Sequence, residues 1–265
     1  NLFILLLFFN FSFAQKKNKK NNFPKSTSAI ERFSSNDKNL INNKSLLKNI
    51  NFRNIGPTVM SGRVVDLDVN PEDPANFYVA YASGGLWETK NHGNTFIPLF
   101  DNQMVMTIGD IKVDWSENII YVGTGENNSS RSSYSGNGIY KSTDNGKSWT
   151  HIGLDDSHHI GRILIHPNNS KVLWVAALGH LYSKNIERGV YKSTDGGETW
   201  IKTLYVNELT GAIDLVVDES NPEIFLITGD LGFGVFDKFK KQYPNNFINA
   251  GVAEQNMTAI AAGMA

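Results

Sequence analysis

A segment of roughly fifty residues recurs along this chain, and this repeat constrains the fold more than any other sequence feature. Residues 138–149 read Gly-Ile-Tyr-Lys-Ser-Thr-Asp-Asn-Gly-Lys-Ser-Trp, and residues 189–200 read Gly-Val-Tyr-Lys-Ser-Thr-Asp-Gly-Gly-Glu-Thr-Trp. A more divergent copy precedes them at 85–96 and reads Gly-Leu-Trp-Glu-Thr-Lys-Asn-His-Gly-Asn-Thr-Phe. Self-similarity at this period indicates a fold built from repeated supersecondary units.

Each unit has the periodicity of short strands separated by turn residues. In the first unit, apolar and polar residues alternate over 64–69, and three further strand-like segments follow before residue 100. Four short strands in a unit of this length are typical of a propeller blade. The sequence therefore predicts a mainly β fold, an incomplete propeller of about three blades plus one strand. Because closed propellers have typically 4–8 blades, we expect this chain to expose blade faces and to self-associate.

The box Ser-x-Asp-x-Gly-x-x-Trp closes each full copy of the repeat. Its aspartate can accept backbone N–H groups within a tight turn, its glycine can adopt a positive φ, and its tryptophan supplies a large apolar surface. We predict a structural role for the box, with every hydrogen bond made inside its own turn. The residues concerned are Ser142, Asp144, Gly146, Trp149, Ser193, Asp195, Gly197 and Trp200.

These boxes resemble those of the Asp-box (BNR) propellers, which include sialidases and the sortilin-type domain, and the resemblance covers residues 52–222. It implies a secreted binding or interaction module whose ligand is a protein or a glycan. A sialidase-like glycoside hydrolase is an alternative, since the family's enzymes bind a carboxylate through arginines. The candidate arginines are Arg53, Arg63, Arg131 and Arg162. No acid and nucleophile pair can be placed beside them, so we expect binding without catalysis.

The pattern changes after residue 222. Residues 224–228 form a continuous apolar run, as in a buried parallel strand, and apolar residues at 236, 239 and 243 then follow helical spacing. Residues 247–249 read as a short strand and 254–265 as a second helix. This β-α-β-α order differs from a blade and predicts a short α/β fragment at the end of the chain.

The segment 223–265 resembles the pyrimidine-binding domain of the transketolase family, through Thr-Gly-Asp-Leu-Gly-Phe at 228–233 and Gly-Val-Ala-Glu-Gln-Asn-Met at 251–257. The resemblance implies thiamine diphosphate with magnesium, Glu254 as the catalytic glutamate on the aminopyrimidine ring, and Asp230 as a second cofactor-binding residue. The family's diphosphate-binding motif is absent from this sequence. We therefore expect no bound cofactor and no activity. The alternative is the N-terminal part of a transketolase-type transferase, and the join near 218–226 is either genuine or an assembly artefact.

The N-terminal residues resemble a secretory signal. An apolar run at 2–9 precedes Ser12-Phe13-Ala14, which has the small residues of a cleavage site. We predict a signal peptide over 1–14 whose basic start is truncated, a polar linker over 15–51, and a secreted, periplasmic or cell-surface location. The run is too short to span a membrane. The transketolase-like segment belongs to a cytoplasmic family, which conflicts with this prediction.

Composition excludes several classes of site. The chain has no cysteine, which rules out disulfides and thiolate metal sites, and its net charge of −1 gives no electrostatic basis for binding nucleic acid. Six histidines are scattered along the chain, and only His158 and His159 are adjacent. The pair precedes the start of a predicted strand, and we interpret both residues as loop or turn histidines. Within a strand, adjacent side chains would point to opposite faces, so we predict no metal site at this pair.

Overall fold

The computed structural model describes residues 25–35, 45–47, 49–50, 62–127, 133–217, 224–228, 241, 244 and 247–249. Within them, three four-stranded antiparallel sheets follow one another along the chain, each with its strands in sequence order. The first sheet contains β1 (Val64–Val69), β2 (Phe77–Tyr81), β3 (Gly85–Thr89) and β4 (Ile97–Pro98). The second contains β5 (Ile108–Asp114), β6 (Ile119–Thr124), β7 (Ile139–Ser142) and β8 (Thr150–His151). The third contains β9 (Ile160–His166), β10 (Asn169–Ala177), β11 (Gly189–Ser193) and β12 (Ile201–Leu204).

This arrangement confirms the predicted mainly β fold of propeller-like blades. Each sheet is a meander whose fourth strand pairs only with the third, as at β7 with β8, where Tyr140 lies opposite His151. In the middle sheet the apolar runs of the repeat become strands that are buried on both faces, because a neighbouring sheet packs on either side. In the middle sheet, β6 is buried along all but its first residue.

The hydrophobic core lies between the sheets. The first core cluster joins the first and second sheets and includes Tyr78, Phe100 and Ile111. The second cluster joins the second and third sheets and includes Tyr121, Ile160 and Leu173. Each blade is therefore stabilised by burying apolar area against the next blade, and a single blade could not bury both of its faces.

Two glycines in first strands of blades, Gly109 in β5 and Gly161 in β9, permit this close stacking. A Cβ at Gly109 would lie 2.0 Å from the carbonyl oxygen of Ile160 in the next sheet. A Cβ at Gly161 would lie 2.2 Å from the carbonyl oxygen of Ile213. Any side chain at either position would collide with backbone, so the glycine at this position of the first strand serves the contact between blades.

The two outer faces of the stack differ. On the first sheet, β1 leaves Val64, Leu67 and Val69 about half exposed. On the third sheet, residues Ala212 and Leu215 pack against Trp174 and Val190 in a third core cluster. The stretch before β13 (Val216–Val217) thus lies on the third blade where the first strand of a fourth blade is expected.

The last described sheet has mixed pairing. Strand β14 (Ile224–Thr228) pairs antiparallel with β13, with Val216 opposite Phe225. The same strand pairs in parallel with β15 (Phe247–Asn249), with Ile227 opposite Ile248. One edge of β14 therefore forms an antiparallel pair, as the first two strands of a blade do. Its other edge forms the parallel pair that the sequence predicted for an α/β unit. The two predicted helices fall almost wholly outside the described residues.

A short helix, α1 (Ala29–Ser35), lies in the segment that the sequence predicted to be a polar linker. Its first turn is a capping box, in which Ser28 Oγ accepts a bond from the Glu31 backbone N–H and Glu31 Oε2 accepts one from Ser28 N at 3.0 Å. Arg32 then donates to the carbonyl oxygens of Gly136 at 2.5 Å and Asp155 at 2.7 Å. These contacts hold the helix against the second blade.

Candidate functional site on the loop face

Three connections meet at one end of the blade stack. They are the β6–β7 connection (125–127 and 133–138 described), the β8–β9 connection (152–159) and the β10–β11 connection (178–188), which together are called the loop face here. In antiparallel meanders these connections all emerge from the same end of the sheets. Backbone bonds join them: Gly136 N donates to His158 O at 2.6 Å, and Leu178 N donates to His159 O at 2.9 Å. The three connections of the loop face are therefore joined to one another by backbone hydrogen bonds.

A histidine cluster lies at the centre of the loop face. The rings of His158 and His180 stack with centroids 3.4 Å apart and planes 23° from parallel. The carboxylate of Asp156 joins them, and one ligand atom from each of the three residues lies within 4.8 Å of the others. His158 has a φ of 59°, a left-handed conformation that a strand residue does not adopt. Both His158 and His159 precede β9, which agrees with their interpretation as loop or turn histidines.

Burial keeps these imidazoles neutral. Burial lowers the pKa of His158 to about 2 and the pKa of His159 to about 4, and the pKa of His180 is lowered for the same reason. The positive charge of Arg32 acts in the same direction on all three residues. His159 Nδ1 lies 2.7 Å from the carbonyl oxygen of Glu126, which can only accept, so this nitrogen carries the proton.

The arginines considered for carboxylate binding are engaged within the protein. Arg162 Nε donates to Asp214 at 2.8 Å and its Nη1 donates to Asp110 at 3.1 Å, so it links the second blade to the stretch that opens a fourth. Arg63 forms an ion pair with the buried carboxylate of Glu126. Arg53 and Arg131 lie outside the described residues. Both described candidates are therefore paired with a carboxylate of another blade.

Asp110 is the buried partner in this network. Its Oδ2 accepts the backbone N–H of Ile163 at 2.6 Å. Burial raises the pKa of the Asp110 carboxyl well above its usual value, whereas the guanidinium of Arg162 opposes that rise. A second carboxylate repeats the arrangement one blade earlier, because Asp66 Oδ2 accepts the backbone N–H of Ile111 at 3.1 Å. Aspartates of the inner strands thus connect each blade to the next.

The two full boxes lie at the opposite end of the stack from the loop face. In the first, Gly146 N donates to Ser142 Oγ at 2.8 Å, and Asp144 Oδ1 accepts the backbone N–H of Ser148 at 2.9 Å. In the second, Ser193, Asp195, Gly197 and Thr199 make the same bonds at the same distances. Gly146 and Gly197 have φ values of 79° and 94°. The hydroxyls of Ser148 and Thr199 also donate to the box carboxylates. Together with the backbone bonds they lower the pKa of Asp144 to about 2 and also lower that of Asp195.

The tryptophans of the boxes bond outside their own turns, so the expectation of a self-contained box is wrong. Trp149 Nε1 donates to Leu99 O at 2.9 Å, and Trp200 Nε1 donates to Ile152 O at 2.7 Å. Both acceptors follow the last strand of the preceding sheet. The indole therefore buries apolar area and also joins its blade to the previous one.

The predicted cofactor residues Asp230 and Glu254 lie outside the described residues. The sequence reasoning also missed Asp156, His180 and Glu126 as parts of a site. His180 is distant from His158 in the sequence and meets it only through blade stacking. The one local signal was the Asp156-x-His158 spacing, which by itself is common.

Comparison with known proteins separates the two ends of the chain. Residues 209–265 match the family model of the transketolase pyrimidine binding domain, starting before the predicted boundary at 223. No curated protein matches the sequence. Among solved structures, an ancestral GH74 enzyme is similar with a TM-score of 0.49 and 19% identity, over 62% of this chain and 22% of that one.

Two further structures have the same partial similarity. The GH74 enzyme of Niastella koreensis has a TM-score of 0.44 and 27% identity, over 59% of this chain and 23% of its own. YCF48 bound to D1 peptide has a TM-score of 0.41 and 15% identity, over 61% of this chain and 45% of its own. The chain thus spans less than a quarter of these two GH74 enzymes and less than half of YCF48. None of the helices in the described part of the chain is long and apolar enough to cross a membrane.

Proposed function

We propose that this chain is a secreted, Asp-box-type propeller module that binds a ligand through its loop face and performs no catalysis of its own. The observation that carries the proposal is the set of apolar side chains that the loop face presents to solvent. Tyr134, Tyr182 and Ile186 are each more than half exposed there. Exposed aromatic and apolar side chains on a rigid base are typical of sites that bind proteins or glycans.

The rigid base comes from the bonds among the loops. Asn185 Nδ2 donates to Asp156 O at 3.0 Å, and Arg188 Nη1 donates to Leu178 O at 2.7 Å. Because these polar groups are already engaged, ordering the loops costs little further entropy when a ligand binds. The ion pairs of Arg63 and Arg162 support a binding role over sialidase-like chemistry, which needs arginines directed at the substrate.

A binding experiment with matched isoleucines tests the proposal. The full chain is labelled and applied to arrays of glycans and of peptides, and hits are titrated in solution. We expect Ile186→Ala to weaken binding at least tenfold, because it removes a contact on the loop face. Ile201→Ala should leave binding unchanged, since Ile201 is similarly exposed at the box end of the stack. Equal losses in both variants, or no saturable ligand, would overturn the proposal.

Secretion is tested separately. We expect expression in a Gram-negative host to give a mature chain that begins at Gln15, because Ala14 ends the cleavage motif. N-terminal sequencing of the periplasmic and cytoplasmic fractions measures this. Retention of residues 1–14 on all of the protein would contradict the signal-peptide part of the proposal.

The second candidate is the N-terminal part of a thiamine-diphosphate-dependent transferase, and the family match over 209–265 favours it. The family resemblance implies that magnesium on another domain holds the diphosphate, leaving Glu254 to contact the pyrimidine. One such charged hydrogen bond contributes about 1.5–3 kcal/mol, whereas even millimolar binding requires about 4 kcal/mol. We therefore expect no measurable binding in calorimetric titration with thiamine diphosphate and magnesium. Micromolar binding that Glu254→Ala abolishes would establish the enzyme candidate instead.

A further inference from the structure

We propose that Asp156, His158 and His180 form a binding site for a divalent transition-metal ion of the zinc type. Two imidazoles and one carboxylate are an established donor set for such ions, and three protein ligands leave a coordination position for water or a ligand oxygen. The site would link the β8–β9 connection, which carries Asp156 and His158, to the β10–β11 connection, which carries His180. It goes beyond the binding role proposed above.

Unsatisfied nitrogen atoms are the main observation behind this site. His158 Nε2 and His180 Nε2 are both buried, and neither has a hydrogen-bond partner among the described residues. His180 as a whole is only 4% exposed. A buried polar atom without a partner costs free energy, and such atoms call for a specific explanation. Two of them in stacked rings beside a carboxylate fit a metal ion better than they fit a packing role.

The surroundings of the cluster orient these donors. His180 Nδ1 lies 2.8 Å from Ser183 Oγ, and when Nδ1–H donates to this hydroxyl, Nε2 keeps the lone pair that a metal requires. Asn185 binds the main-chain oxygen of Asp156 and also donates through its amide to Glu187 at 3.3 Å. A hydrogen bond to the second ring nitrogen, as from His180 to Ser183, is what fixes the orientation of a histidine ligand.

Nearby charge limits the affinity. Arg32 Nη2 lies 3.3 Å from Asp156 Oδ1, so an ion would share this carboxylate with a guanidinium and bind through the other oxygen. Arg188 adds a second positive charge, because its Nη2 donates to the carbonyl oxygens of His180 and Ser183. We therefore expect micromolar rather than nanomolar affinity for Zn²⁺.

The stacked rings must move to bind one ion. In rings within 23° of parallel, the in-plane lone pairs run side by side and do not converge on one point. Coordination therefore requires at least one ring to rotate out of the stack. This change can be followed through the imidazole signals in NMR spectra, independently of affinity.

The test uses the full chain without a histidine tag, stripped with chelator and titrated with ZnCl₂ in a calorimeter. We expect one saturable site, and a visible absorption spectrum of low-symmetry Co²⁺ when CoCl₂ replaces zinc. His158→Asn should weaken Zn²⁺ binding at least tenfold, and asparagine tolerates the φ of 59° at this position. Asp156→Asn should have a similar effect while keeping the shape of the side chain.

The matched control is His92→Asn. His92 is exposed in the first blade and has a φ of 57°, nearly that of His158. The equivalent residue of the next blade is Asn145, with a φ of 58°, so asparagine is compatible with this turn. Zinc affinity should be unchanged in this variant. The absence of a saturable site, or equal affinity in the wild type and both site variants with their melting curves intact, would overturn the proposal.

Discussion

The box of the first blade and the boxes of the second and third blades close the same turn with different side chains. In the first blade, Asn91 replaces the aspartate, and its Oδ1 still accepts the backbone N–H of Thr95 at 2.9 Å. Gly93 N donates to Thr89 Oγ1 at 3.0 Å, as the later glycines donate to serines. The turn therefore needs an oxygen acceptor and a glycine, and it does not need the negative charge.

The last residue of the box behaves differently. Phe96 stands where Trp149 and Trp200 stand in the later blades, and it packs edge-on against Phe77 within its own sheet, with centroids 6.3 Å apart. A phenyl ring has no N–H to donate. Since no sheet precedes the first blade among the described residues, the difference separates two functions of the box: closing a turn and joining a blade to its predecessor.

Removing the aromatic ring should have the largest effect and should differ between blades. We expect Trp200→Ala to lower the free energy of unfolding by about 2–3 kcal/mol, because it loses packing and the bond to Ile152. Phe96→Ala should cost about 1 kcal/mol, since the ring supports only its own sheet. Urea unfolding followed by tryptophan fluorescence and circular dichroism measures both. Equal losses would show that the contact between blades contributes little.

The box glycines give a second contrast. An added Cβ at Gly197 would lie 2.5 Å from Ile152 Cδ1 in the preceding blade connection, whereas at Gly93 the nearest atom would be 3.6 Å away. Both positions have a positive φ, so alanine is strained at either. We expect Gly197→Ala to cost about 2 kcal/mol and Gly93→Ala about 1 kcal/mol. The thermal midpoints of the two variants measure the difference, and a larger loss at Gly93 would contradict it.

Exchanging the tryptophan of a later box for the phenylalanine of the first box isolates the contribution of the hydrogen bond that the indole N–H donates. Trp149→Phe keeps most of the packing and removes the donor to Leu99 O, so it should cost about 1 kcal/mol. The reverse change, Phe96→Trp, should bring no gain in stability, because no carbonyl of a preceding sheet is described beside it. A stabilised Phe96→Trp variant would indicate that the first blade has an unrecognised neighbour. Denaturant midpoints for the two variants test both expectations.

Sequence alone predicted the blades because their determinants are local. Strand alternation and the turn of the box each act within a few residues, and β14 was visible as an apolar run. The links between blades were not visible, since Trp200 and Ile152, or Arg162 and Asp110, are partners only after stacking. Helix α1 was missed although its Ser28 to Glu31 capping box was readable.

The candidate site was largely unpredictable for the same reason. His158 and His180 belong to different connections, and their contact depends on how the second and third blades pack. The sequence indicated loop or turn histidines at 158 and 159, but it carried no signal that His180 would stack on His158. Glu254 and Asp230 remain predictions, because they lie outside the described residues.

The smallest expected effect on stability comes from the charge of the box aspartates, and it appears only at acidic pH. Hydrogen bonds from Ser148 lower the pKa of Asp144 to about 2, below the value of about 3.9 in an unfolded chain. A lowered carboxyl pKa contributes stability that is present above the unfolded value and is lost as pH falls toward the folded value. The box aspartates should therefore make the chain lose stability as the pH falls from about 4 to about 2.

Asp144→Asn should reduce this dependence on pH, and Asn91→Asp should add to it, because it gives the first blade the same ionisable group. Thermal midpoints measured across this range decide the matter: parallel profiles for the wild type and both variants would show that the box charge has no part in stability.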